Sequence, residues 1–152
     1  MVKKVLLVVA VAAVVLVVAV LFFGVGSTTN GVLSFAGGQV KVSKDGAAAK
    51  SVTAGTQIFA GDSVETGPGG HCTVEFEDRS SFTLAPGTKL TVQVLDKKGT
   101  ARIFHSEVKL VSGSVRVSVP TGAGQKSTTK ILTANGDLLV KGTEFRAAFA
   151  GG

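Results

Sequence analysis

The sequence predicts an all-β domain, a short-stranded sandwich, a roll or a coiled β-solenoid, with one transmembrane α-helix ahead of it. Three observations predict this. Residues Val5 to Val25 carry no charged or strongly polar side chain; beyond them short apolar runs alternate with polar residues; and Gly and Pro recur every several residues as far as Gly142. A period of two puts each apolar set on one face of a strand, and the recurring breakers leave no stretch with a helical period. After a span of about 20 residues, roughly 120 remain, which suits one folded unit.

The N-terminal run comes first. At about 1.5 Å of rise per residue, Val5 to Val25 crosses a hydrocarbon core of about 30 Å. Val is a middling helix former in water, but in lipid every backbone polar group must pair within the segment, so helix wins over propensity. Lys3 and Lys4 precede the run and the next charge is Lys41, so the positive-inside bias keeps the N-terminus in the cytoplasm. This gives a cytoplasmic stub at residues 1–4, a single-pass helix at 5–25 anchored by Val5, Leu16, Phe22 and Phe23, a linker at 26–30 and an extracytoplasmic β domain at 31–150. The aromatic pair Phe22-Phe23 sits where anchors place such rings, at the membrane interface. The alternative is a cleaved signal peptide, with Gly24-Val25-Gly26 as a small-x-small site and a secreted product. Either route exports the domain.

Strands follow in order. Val74 and Phe76 alternate with Glu75 and Glu77; Phe82 and Leu84 follow; Leu90, Val92 and Val94 alternate with Thr91 and Gln93; Val115, Val117 and Val119 interleave with Ser114, Arg116 and Ser118. Asp78-Arg79-Ser80 is expected to turn a hairpin joining Cys72–Glu77 to Ser81–Leu84, because Asp and Ser bond their own backbone in turns. Pro86-Gly87 should end the next strand, since Pro lacks a donor for the ladder. The stretch from Thr121 to Thr129 has no large apolar residue and is expected to be a surface loop. The single Cys excludes an intramolecular disulfide, so the core alone must hold the domain, with Cys72 inside it.

Five pieces, in this order, resemble the FecR domain of bacterial envelope proteins: Ala60 to Gly67, Val74 to Ser80, Leu84 to Leu90, Val111 to Val117 and Val140 to Phe145, the last containing Gly-Thr-Glu-Phe. The resemblance spans Gly31 to Phe149 and picks out Gly61, Asp62, Thr66, Gly67, Asp78, Ser80, Pro86, Thr88, Gly113, Gly142, Thr143 and Phe145. Scaffold roles suit these residues: Gly61 for a turn with positive φ, Thr66 and Thr88 for turn caps, Gly142 for a bulge or close approach, Phe145 for the core. FecR regulators carry a cytoplasmic anti-sigma segment before the helix and a further C-terminal region that meets an outer-membrane receptor. With only Met1 to Lys4 ahead of the helix, the chain is more similar to stand-alone FecR-domain proteins. That resemblance implies a cytoplasmic-membrane protein facing the periplasm, with a role in envelope sensing, adhesion or assembly.

Catalytic and metal chemistry are not expected. His71, Cys72 and His105 match no zinc spacing, and neighbours on a strand point to opposite faces. No nucleophile-elbow sequence accompanies the serines and His105. Nucleic acid is not an expected partner: Lys97-Lys98 with Arg102, and Lys126 with Lys130, are loop-scale groups, and without Tyr or Trp, and with its Phe residues read as membrane or core, the chain offers no stacking platform. The formal charge of +6 falls by the two of Lys3 and Lys4, leaving an exported part that favours anionic surroundings such as lipid headgroups or acidic polysaccharide. No cofactor is expected. The expected partners are membrane lipid through the helix and a protein or envelope polymer, met through strand edges or the loops Asp62–Gly70 and Thr121–Lys130. The alternative is a scaffold or adhesion protein that self-assembles through β edges as a homo-oligomer.

Overall fold

Alternating residues on strands need partners on both sides, and the chain supplies them by curling one sheet around its own apolar face. The computed structural model describes residues 30–98, 103–120, 127–141 and 144–149. The predicted membrane span, its cleavage site and the anchor residues Val5, Leu16, Phe22 and Phe23 lie outside the described residues, as do Gly142 and Thr143. Among the described residues no helix is long and apolar enough to cross a membrane.

The strands are β1 (Gly31–Gly37), β2 (Val40–Ser43), β3 (Lys50–Ser51), β4 (Gln57–Ile58), β5 (Ser63–Thr66), β6 (His71–Phe76), β7 (Ser81–Leu84), β8 (Lys89–Lys98), β9 (Ile103–Ser118), β10 (Ser127–Thr133), β11 (Gly136–Val140) and β12 (Glu144–Phe149). They form two arms that share β9. One arm runs β4-β1-β6-β7-β9-β12, using the end of β9 from Gly113; the other runs β3-β2-β5-β8-β9-β10-β11, using β9 up to Ser112. A strand that bends from one sheet into another is a known way to make a corner. Among the described residues every pairing is antiparallel except β9 with β10, so the architecture is a curled sheet; the stacked parallel coils of the solenoid alternative are not seen.

The concave side holds the core. Leu33, Cys72, Val74, Phe76, Phe82, Leu84, Val115 and Val117 from one arm meet Val40, Val42, Val64, Leu90, Val92, Phe104, Val108, Leu110 and Ile131 from the other in one cluster. The Phe76 ring packs edge-on to Phe82 at 5.2 Å and reaches Phe104 of the opposite arm at 6.2 Å. Cys72 is fully buried, and burial pushes its thiol from 9.0 up to about 12. Folding therefore retains a proton that the unfolded chain releases. Stability from this source is fully present below pH 9 and is lost as pH rises towards 12, at about 1.4 kcal/mol per pH unit. We expect the wild type to weaken relative to Cys72→Val between pH 9 and 11 in urea titrations of the full chain in detergent. Equal alkaline slopes for the two proteins would refute this.

Three sequence expectations are corrected by the structure. Val94 was expected inward with Leu90 and Val92, but the register slips between Val92 and Val94; the extra residue, Gln93, reverses the alternation, exposing Val94 and turning Leu95 to the core. The same device between Leu33 and Phe35 turns Phe35 outward, so the Phe residues are not all core-facing. Ser127, Thr128 and Thr129 are strand, not loop: they begin β10, and the buried hydroxyls of Thr129 and Ser106 bond each other at 3.0 Å across the parallel pair. That mutual satisfaction lets polar residues occupy core positions. Residues 121–126 lie outside the described residues.

Candidate functional site

The resemblance residues gather where the chain changes arms. The chain changes arms several times, among them between β1 and β2, between β5 and β6, between β7 and β8, and at Gly113 within β9. Backbone bonds tie the first three of these together: Gly67 N–H donates to the Gln39 carbonyl at 2.8 Å, and Gly87 N–H to the Gly67 carbonyl at 3.3 Å. Pro86 and Gly87 form the exposed turn between β7 and β8. Two buried threonines complete the seam. Thr66 Oγ1 donates to the Ala85 carbonyl at 2.6 Å and accepts the Thr88 N–H at 2.9 Å; Thr88 Oγ1 donates to the Ser114 carbonyl and accepts the Ser114 N–H, both at 3.0 Å. Thr88 thus lies directly against the bend of β9, and Gly113, with φ +88°, leaves room for it.

The remaining motif residues are local anchors. Gly61 adopts φ +94°, and Asp62, buried, accepts the Phe59 N–H at 2.9 Å and Lys44 Nζ at 2.6 Å. The Lys44 ammonium also sits 5.0 Å from the Phe59 ring centre. Within Asp62–Gly70, Ser63–Thr66 is paired on both sides, with β2 and β8, which leaves the Gly67–Gly70 turn, exposed at Pro68 and Gly69, as its open part. Asp78 Oδ1 accepts the Ser80 N–H at 2.9 Å and the Ser80 hydroxyl, and Arg79 takes φ +65°, closing the β6–β7 hairpin. Phe145 is described through its backbone, opposite Val117.

The outer face of the first arm carries the groove best suited to recognition. It has a volume of about 220 Å³ and is lined by His71, Thr83, Leu84, Ala85, Ser114 and Arg116. Phe35, 49% exposed, packs against the His71 ring at 5.1 Å along one side. Thr73 and Thr83 bond through their hydroxyls at 3.2 Å, and Thr83 lies directly across from Arg116. On the other flank of β9, Arg146 is the register partner of Arg116. The surface combines an aromatic ledge, a row of hydroxyls and the Arg116 side chain. Sequence reading missed it because the bulge at Ser34 leaves no mark in the hydrophobic pattern.

His71 and Cys72 project to opposite faces, one exposed and one buried. Among the described residues no three His, Cys, Asp or Glu side chains are grouped to hold a metal ion. The family model described as FecR protein matches residues 62–152. The chain belongs to the FecR family. FecR proteins are associated with the bacterial envelope and its signalling. No curated protein and no solved structure matches the chain. The FecR match begins at Asp62, yet β1 to β4 join the same curled sheet and contribute Leu33, Val40, Val42 and Ile58 to the FecR core.

Proposed function

We propose that this FecR chain is a non-enzymatic binding module, held outside the bacterial cytoplasmic membrane by its N-terminal apolar run, that recognises a protein or envelope polymer for signalling. The observation that carries this reading is the Phe35–His71 pair beside the groove around Arg116. The family's motif residues support the arm seam and the turns, whereas these side chains stand on an outer sheet face. A half-exposed aromatic and a guanidinium on one outer sheet face are the residue types of an interaction hot spot. Arg116 and the row of hydroxyls suit a partner that presents hydrogen-bond acceptors next to an apolar group.

A photoreactive residue at Thr83 in the full chain, expressed in its own membranes, is expected to crosslink one partner. Phe35→Ser and Arg116→Ala should each reduce the crosslink about tenfold, the loss corresponding to one hot-spot side chain. Capture that persists undiminished in both variants would count against this surface.

A further inference from the structure

A curled sheet leaves free edges, and this fold treats them unequally. The edge strands β3 and β4 are only two residues long, which limits pairing with another chain. Among the described residues the longer edges are β12, six residues beside β9, and β11, which spans five residues, pairs with β10 alone, and exposes Leu138 by 39% and Leu139 by 58%. A long apolar edge is normally guarded by charges that repel an incoming copy. Here the guards are Asp137 and Lys141, which bracket Leu139 at a spacing of two on either side and so share its face.

Their signs are opposite, and this decides which chain the edge accepts. When β11 lies antiparallel to β11 of a second copy about a two-fold axis through Leu139, Leu139 faces Leu139, Leu138 faces Val140, and Asp137 faces Lys141 at both ends. Directly opposed residues attract when their charges are opposite and repel when they are alike. The triplet Asp137-Leu139-Lys141 is therefore complementary to itself in this one register; a shift by one residue in the pairing sum removes both charge pairs. Asp137 already meets Lys130 of its own chain at 3.0 Å, and a carboxylate has acceptor sites for a second ammonium.

We infer that β11 is a homodimer edge, closed by a two-fold axis at Leu139 with reciprocal Asp137–Lys141 pairs. A two-fold contact uses the same patch on both copies, so the assembly stops at two chains. It extends the sheet of each copy across the axis and leaves the groove around Arg116, which lies on the other arm, free for a partner.

Cysteine pairs test the register in the full chain in mild detergent, because Cys72 is buried and its thiol is held neutral. Opposed Cβ atoms about 5 Å apart are within disulfide reach. Under mild oxidation, Leu139→Cys should give a homodimer band, Asp137→Cys alone should not, and a mixture of Asp137→Cys with Lys141→Cys chains should give a mixed dimer. Charge reversal is the second arm. Asp137→Lys or Lys141→Asp should each weaken dimerisation at least tenfold by sedimentation, and the double reversal should regain most of it. Overturning results are a Leu139→Cys chain that stays monomeric while folded, one that crosslinks to a different protein, equal dimer yields from the 137 and 139 cysteines, or a double reversal no better than the singles.

Discussion

Gly113→Ala is expected to cost about 2–5 kcal/mol, a large share of the 5–15 kcal/mol that holds a typical domain together. Two penalties combine. A side chain at φ +88° is in the left-handed region, which disfavours an L-residue by roughly 1–2 kcal/mol. The new Cβ also falls 2.8 Å from Thr88 Cβ and 2.5 Å from Thr88 Cα, so the bend of β9 and the β7–β8 turn must part. Overpacking of this kind costs about 1–3 kcal/mol, and the paired bonds between Thr88 and Ser114 stretch with it. Because the clash includes backbone, Thr88→Ala should not rescue the variant. Gly46→Ala is the control: its φ is +77° but a Cβ there meets nothing within 4 Å, so only the conformational cost of roughly 1–2 kcal/mol applies. Urea midpoints of the full chain in detergent separate the two. Equal losses would mean that the seam is not close-packed at Gly113.

This substitution matters because Gly113 is where the topology is decided. Up to Ser112, β9 pairs with β8 and β10; beyond it, the same strand pairs with β7 and β12. Without a residue that lets Thr88 approach, β9 has no way to bend between the arms. The two arms would then lose the strand they share, and the groove would lose the fixed spacing between Thr83, Ser114 and Arg116.

Much of this was readable in the amino acids. Val74, Phe76, Phe82, Leu84, Val115 and Val117 alternate because they line one concave face, and the Asp78-Arg79-Ser80 turn announces its own hydrogen bonds. What the pattern does not carry is any event that changes parity without changing composition. The bulges at Ser34 and Gln93 each insert one residue, so Phe35 and Val94 look inward on paper and face outward in the fold. The β10 strand was hidden for another reason: Ser127 and Thr129 point inward as hydroxyls, and Thr129 is satisfied by Ser106, a residue 23 positions away. The seam was invisible as a unit, since Gln39, Thr66, Gly87 and Gly113 are distant in sequence and only the passages between the arms bring them together. The aromatic ledge beside the candidate groove depends on one of those bulges and so could not be found from periodicity.

Phe82→Ala is expected to cost about 3–5 kcal/mol, the loss of a buried ring plus the cavity that remains. The phenyl group is fully buried, packs against the Phe76 ring, and has Val74 and Val117 as cross-strand neighbours. Phe76 in turn reaches Phe104 in the other arm, so the cavity opens at the contact between the two halves of the sheet and neither strand can collapse alone to fill it. Phe82→Leu keeps most of the volume and should lose less than about 1.5 kcal/mol. The telling comparison is Val94→Thr. Both residues belong to apolar alternations of the same kind in the sequence, yet the bulge at Gln93 leaves Val94 36% exposed, and a surface change of this sort shifts stability by no more than about 0.5 kcal/mol. Thermal or urea unfolding that places Val94→Thr beside Phe82→Ala would restore the unbroken alternation and remove the bulge from β8. A wide gap between them ties the inside of the domain to register, not to hydrophobicity read residue by residue.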